Sequence, residues 1–225
     1  MVVIKQLLSA AEVKEYRALL HVAPWNDGIT TAMGMAASVK KNGQADAGDN
    51  QVQQLANRLL ARLGHTPALL SAALPHRIFP PCFNCYGEGE TYGLHVDAAI
   101  MRMPNNEILR SDLSMTTFLS EPDEYQGGEL VIETEFGQQR VKLSAGDAVL
   151  YSSGSLHKVT PVTRGQRFAA ITWIQSLIPD SQMRNTLHQL DQSIQNLLTN
   201  PAVAREQLDQ LHHVYHNLIR QHSQV

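Results

Sequence analysis

Cysteine is scarce: Cys82 and Cys85 are the only two in 225 residues. That excludes a disulfide framework. An excess of cations is missing too. Lys plus Arg number 18 against 21 for Asp plus Glu, a net charge of −3. Such a surface does not neutralise phosphates, which excludes a general nucleic-acid binder. No apolar run approaches the roughly 18 residues of a membrane-spanning helix. The opening MVVIKQLLSAAEVKEY sets Lys5 and Glu12 within or beside any signal-peptide core and offers no clean cleavage site, so a cytoplasmic protein is expected. Internal repeats and low-complexity tracts are lacking. What is present is length enough for one large domain with its own core, and histidine. Ten histidines stand against five Phe and six Tyr. Histidine is the commonest metal ligand and the side chain that titrates near neutrality.

The chain reads in three segments. Residues 1–76 are expected to be mainly helical and to pack on the rest. Leu7, Leu8, Val13, Tyr16, Leu19 and Leu20 recur at helical spacing, with Ser9 and Glu12 as a capping box. Residues 24–50, rich in Gly, Ala, Asn and Asp, read as loop. Residues 51–63 (QVQQLANRLLARL) place Val52, Leu55, Leu59, Leu60 and Leu63 on one face, and Gly64 suits the helix end. Residues 77–177 change texture. Short β-rich runs (RIFPPCFNCY, SMTTFLS, GELVIET, RVKLS, DAVLYSS, HKVTPV, RFAAITWIQ) alternate with turns such as Gly127-Gly128 and Ala145-Gly146-Asp147. That rhythm predicts an antiparallel sandwich or barrel. Residues 178–225 read as two amphipathic helices broken near Thr199-Asn200-Pro201.

Within the β-rich segment, His95-Val96-Asp97 projects an imidazole and a carboxylate from one face if it lies in a strand. His157, just after DAVLYSS, is the best third ligand if the sheet folds back on itself. Two His and one carboxylate form the facial triad of non-haem Fe(II) oxygenases, with three positions left for a bidentate 2-oxo acid and O2. Arg167 lies ten residues beyond His157. Its planar fork suits the far carboxylate of such an acid. Strand alternation groups Arg167, Ala169, Ile171 and Trp173 on one face, with Phe168, Ala170, Thr172 and Ile174 on the other.

The segments YGEGETYGLHVD, GGELVIE and KLSAGDAVLYSSGSLHKVTPVTRGQRFAAITWIQS resemble the PKHD-type hydroxylases, Fe(II)- and 2-oxoglutarate-dependent dioxygenases related to prolyl 4-hydroxylase. The resemblance is carried most firmly by residues 77–177. It implies a mainly β fold, a double-stranded β-helix or jelly roll with helical N- and C-terminal segments. It implies that His95, Asp97 and His157 bind iron and that Arg167 binds the distal carboxylate of 2-oxoglutarate. Tyr86, at the head of the pattern Tyr86, Gly89, Tyr92, His95, is implied to contact the cosubstrate. It further implies O2 as co-reactant, ascorbate as a supporting reductant, and release of succinate and CO2. The primary substrate stays open between prolyl- or lysyl-type peptide side chains and a small molecule, including one linked to iron uptake.

A second class is a cupin-like, non-oxidative metal protein on the same barrel, such as an isomerase or a ligand-binding sensor. Its sites usually carry His-x-His with a further Glu and His, whereas here a carboxylate follows the first His by two. Cys82 and Cys85 fall on opposite faces of any strand and read as structural. His212, His213 and His216 read as a polar helix face, with His212 and His216 close enough for a stray divalent ion. The loops near 24–50, 98–112 and 121–128 are where substrate selection is expected. The terminal helices offer apolar stripes that either cover the barrel or build a homo-oligomer.

Overall fold

The computed structural model describes residues 1–31 and 34–225; Ala32 and Met33, part of the expected 24–50 loop, lie outside the described residues. Strand β1 (Val2–Ile4) and helix α1 (Ala10–Val22) open the chain. Short strands β2 (Trp25–Asp27), β3 (Lys40–Lys41) and β4 (Gly43–Ala45) follow, with 3-10 turns at Gly28–Thr31 and Gly34–Val39. Helices α2 (Asn50–Gly64) and α3 (Pro67–Ala73) lead into the strands β5 (Pro75–Ile78), β6 (Cys82–Tyr86), β7 (Thr91–His95), β8 (Ile100–Arg102), β9 (Ile108–Arg110), β10 (Leu113–Phe118) and β11 (Tyr125–Gly127). After these come β12 (Leu130–Thr134), β13 (Gly137–Val141), β14 (Ala148–Ser152), β15 (His157–Val159), β16 (Val162–Gly165) and β17 (Arg167–Ser176). Helices α4 (Ser181–Leu198) and α5 (Arg205–His222) close the chain.

Two antiparallel sheets build the barrel. The major sheet runs β1-β14-β10-β17-β6-β4-β2, with β5 also on β17. The minor sheet runs β13-β12-β15-β7-β3, and the pairs β11–β16 and β8–β9 form separate ribbons. The result is a mainly β jelly roll with flanking helices. Alternation along β17 explains its layering. Phe168, Ala170 and Ile174 enter the hydrophobic core under the helices, while Arg167, Ile171 and Trp173 line the space between the sheets.

The helices cover the outer face of the major sheet. Ser9 and Glu12 form the capping box of α1, whose Val13, Tyr16 and Leu20 are buried. Leu7 and Leu8 precede that cap; they are buried as part of the turn, not of the helix. Asp49 caps α2 by accepting from Gln51 N and Val52 N, and Val52, Leu55, Ala56, Leu59 and Leu63 are buried. Each fully buried leucine there contributes about 2 kcal/mol. Gly64 is the last helical residue, and the chain turns at His65. In α5 only Leu208 is buried, so its apolar stripe is less covered than that of α4, which buries Leu187 and Ile194.

Residues 24–50 are not simply loop. Lys40 pairs with Tyr92 and Gly43 with Cys85, so β3 and β4 extend an edge of each sheet. Composition reads as loop here, but edge backbone hydrogen bonds outweigh low strand propensity. Val2–Ile4 likewise pair with Ala148–Leu150 at the opposite edge of the major sheet.

Candidate metal centre

The register of the minor sheet places His95 directly opposite His157. Both rings are buried, with centroids 4.3 Å apart. Each makes the same bond. Nδ1–H of His95 donates to the Gly93 carbonyl at 2.7 Å, and Nδ1–H of His157 donates to the Ser155 carbonyl at 3.0 Å. A carbonyl only accepts, so the proton of each neutral ring sits on Nδ1 and Nε2 keeps its lone pair. Burial first, and the nearby His157 second, hold the His95 pKa below the usual histidine range. Tyr92 stacks on His95 at 3.6 Å, and Tyr151 meets His157 edge-on at 5.2 Å. Burial raises the pKa of both phenols, which stay protonated.

Asp97 reaches the same place by another route. β7 ends at His95, so Asp97 lies two residues past the strand rather than in its pleat. The chain there leaves the sheet for the β8–β9 ribbon, and strand geometry no longer sets its side chain. Ser114 of β10 holds it instead, donating to Asp97 Oδ2 at 2.6 Å. His95 Nε2 stands 4.0 Å from Asp97 Oδ1, and His157 Nε2 stands 3.7 Å from Asp97 Oδ2. Two atoms each about 2.1 Å from one ion are at most about 4.2 Å apart; both separations satisfy that bound. Among the described residues, this is the one group of three His, Cys, Asp or Glu with ligand atoms so gathered, all within 4.8 Å.

A cavity of about 1200 Å³ opens from this cluster between the sheets. Arg167 lines it, 1% exposed, with no carboxylate partner among the described residues; the Tyr125 hydroxyl is its polar neighbour. Its register partner is Tyr86, whose ring lies 5.2 Å from the guanidinium; the Phe118 ring lies at 5.4 Å. Burial pushes the Tyr86 pKa up to about 12, against a smaller opposing pull from Arg167, so its hydroxyl remains a donor. Asn84 Oδ1 and Trp173 Nε1 on the lining are buried without hydrogen-bond partners among the described residues. A buried guanidinium without a carboxylate partner is costly, and an anion in the cavity would offset that cost.

The geometry thus brings together His95, Asp97 and His157, and puts Arg167, Tyr86 and Trp173 on the same cavity. It also adds residues that sequence reasoning passed over: Ser114, Tyr151, Tyr125 and Lys40. Lys40 lines the cavity, bonds Gln44 Oε1 at 3.3 Å and lies over the Tyr92 ring. None of these four carried a signal in the sequence; Tyr92, which stacks on His95, did, through its place in the spaced tyrosine pattern. Segments 24–50 and 98–112 contribute lining residues, whereas 121–128 does not; its Glu124 pairs with Arg17. Cys82 faces the cavity and Cys85 the helix side, and burial raises both thiols to about 11, keeping them protonated. His213 bonds Asn217, and the His212 and His216 rings stack at 6.2 Å on the C-terminal helix. No helix among the described residues is long and apolar enough to cross a membrane.

A jelly roll whose mouth gathers two imidazoles, one carboxylate and a buried arginine defines a class, the 2OG-Fe(II) oxygenases, and the model of that superfamily matches residues 81–175. The donor set fits Fe(II), and Arg167, with no carboxylate partner among the described residues, fits a carboxylate. The PKHD-type hydroxylase C-terminal domain model matches residues 180–224. The chain is 66% identical to a PKHD-type hydroxylase of Shewanella frigidimarina over 226 aligned positions, covering 100% of both. It is 64% identical to one of Alteromonas mediterranea, again over 100% of both. A Pseudomonas putida prolyl-4-hydroxylase shares the fold, with a TM-score of 0.53 at 20% identity over 78% of this chain and 91% of that one. The chain belongs to the PKHD-type hydroxylases. It is an oxidoreductase that uses Fe(II), 2-oxoglutarate and O2.

Proposed function

We propose that the enzyme hydroxylates an unactivated C–H bond, with His95, Asp97 and His157 holding the iron and Arg167 and Tyr86 holding the cosubstrate. One observation carries the reading: a fully buried guanidinium with no carboxylate partner among the described residues shares a cavity with the triad. Fe(II) bound there supplies O2 activation, in which 2-oxoglutarate is oxidised to succinate and CO2 while a substrate C–H becomes C–OH.

The chain's own groups have separate tasks. His95 and His157 present neutral Nε2 donors because Gly93 and Ser155 fix their tautomers. Asp97 adds one negative charge, and the Ser114 hydroxyl orients it. Arg167 pairs with the distal carboxylate of 2-oxoglutarate, and Tyr86 donates its hydroxyl beside it. Phe79, Ile171 and Trp173 keep the inner wall apolar and exclude water. The substrate is a prolyl- or lysyl-type side chain or a small molecule, including one linked to iron uptake.

The test is 2-oxoglutarate turnover read as succinate by mass spectrometry. Succinate should require Fe(II) and disappear in Asp97→Ala. Succinate formation that survives Asp97→Ala would refute the assignment.

A further inference from the structure

One buried polar side chain on the cavity wall has no task in the roles above. Asn84 is 7% exposed, and its Oδ1 has no hydrogen-bond partner among the described residues. Its cross-strand neighbours do not supply one. Opposite it on β4, Gln44 Oε1 accepts from Lys40 Nζ at 3.3 Å. Opposite it on β17, Ala169 brings only a methyl group and leaves room in front of the carboxamide. A buried amide group without a partner is destabilising, and a ligand that bonds it relieves that cost.

The register of the major sheet fixes what lies beside it. Asn84 and Tyr86 share the cavity face of β6, and Tyr86 pairs with Arg167. Asn84 therefore stands one pleat repeat, about 6.8 Å, along the wall from the Arg167–Tyr86 pair. The direction is toward the metal centre. β17 runs on from Arg167 through Ala169 to Trp173, whose partner on β10 is Ser114, the residue that holds Asp97. The terminal carbons of an extended five-carbon chain stand about 5 Å apart, and an oxygen at each end brings the span to about 7 Å. A five-carbon diacid with one end on Arg167 and Tyr86 thus brings its other end level with Asn84.

We propose that Asn84 is a further cosubstrate-binding residue, its Nδ2–H donating to the 2-oxo carboxylate end of 2-oxoglutarate while Arg167 and Tyr86 hold the far end. This deepens the reading above and rests on Arg167 being the anchor of the distal carboxylate. With both carboxyls ionised, 2-oxoglutarate offers oxygen acceptors and has nothing to donate to Oδ1. No hydrogen bond among the described residues holds Oδ1 where it stands, so the carboxamide turns about its last bond and presents Nδ2–H instead. Two fixed points, one near each end, set the angle at which the acid meets the triad, whereas Arg167 alone leaves it free to swing.

The test titrates two acids anaerobically into the full chain loaded with Fe(II). One is 2-oxoglutarate; the other is 2-oxovalerate, which has the same chain length and a methyl group in place of the distal carboxylate. Asn84→Leu should weaken both acids by the same factor, about tenfold or more. Arg167→Met should weaken 2-oxoglutarate alone. Asn84→Asp keeps the shape of the side chain, removes the donor and adds a negative charge, so it should weaken both acids further. The visible charge-transfer band of the Fe(II) complex with either acid should move to shorter wavelength in Asn84→Leu, because the oxo group loses a donor. Retention of Fe(II) against a chelator and the apo Tm should match the wild type, which separates a lost contact from a lost fold. Unchanged affinity for both acids in the two Asn84 variants, a loss confined to 2-oxoglutarate, or an unmoved band overturns the proposal and leaves the assignment of Arg167 standing. An Arg167→Met variant that binds 2-oxoglutarate as the wild type does overturns the underlying reading, and this inference with it.

Discussion

His95 and His157 face each other across neighbouring antiparallel strands, and each donates its Nδ1 hydrogen to the carbonyl two residues before it in its own chain. The two rings are thus locked by the same local device, and both leave Nε2 toward Asp97. The chain itself thus sets the orientation and tautomer of both rings.

Removing a ligand and removing its support should differ in degree. His157→Ala should abolish retention of Fe(II) through a desalting column. Ser114→Ala leaves all three ligands but frees Asp97 Oδ2, so metal affinity should fall by about 10–100-fold with the fold intact. Chelator competition measures both. Equal affinity in Ser114→Ala and the wild type would show that the hydroxyl does not orient the carboxylate.

Arg167 makes a prediction about stability as well as binding. A buried cation with no carboxylate partner among the described residues destabilises the apo chain, so Arg167→Met should raise apo stability by about 1–3 kcal/mol. Adding 2-oxoglutarate with metal should raise the Tm of the wild type and leave that of the variant unmoved. Thermal unfolding with and without the cosubstrate reads both effects. A variant less stable than the wild type in the apo form would contradict the account of an uncompensated charge.

The capping box of α1 gives a pH prediction away from the site. The backbone and side chain of Ser9 lower the Glu12 pKa from 4.5 to about 2, with a further contribution from Arg62. The folded value lies below the ordinary one, so this stabilisation is complete above pH 4.5 and is lost as pH falls through 2. Ser9→Ala should cost about 1 kcal/mol near neutrality and should flatten the stability profile across that window. Urea unfolding at several pH values is the check; an unchanged acid slope in Ser9→Ala would remove Glu12 from the account.

The strands and the alternation of β17 were legible because period-two patterning survives burial on both faces: Arg167 and Trp173 turn to the cavity, and Phe168 to the helices. The spacing of His95, Asp97, His157 and Arg167 was legible through the resemblance to a known family. A strand pleat would have set Asp97 beside His95, but β7 ends at His95; the position of Asp97 depends on Ser114, seventeen residues away, a contact with no local pattern. Lys40 was invisible because its segment is short, polar and rich in small residues. Only the edge of the minor sheet makes it a strand and turns its side chain toward the cavity.

An anaerobic calorimetric titration of 2-oxoglutarate into the Fe(II)-loaded chain tests the central claim most directly, that the triad and Arg167 form one site. The account predicts one equivalent bound, binding that vanishes without metal or in His95→Ala, and at least about 100-fold weaker binding in Arg167→Met. Binding that persists at wild-type affinity in Arg167→Met, or that is indifferent to the loss of His95, would contradict it.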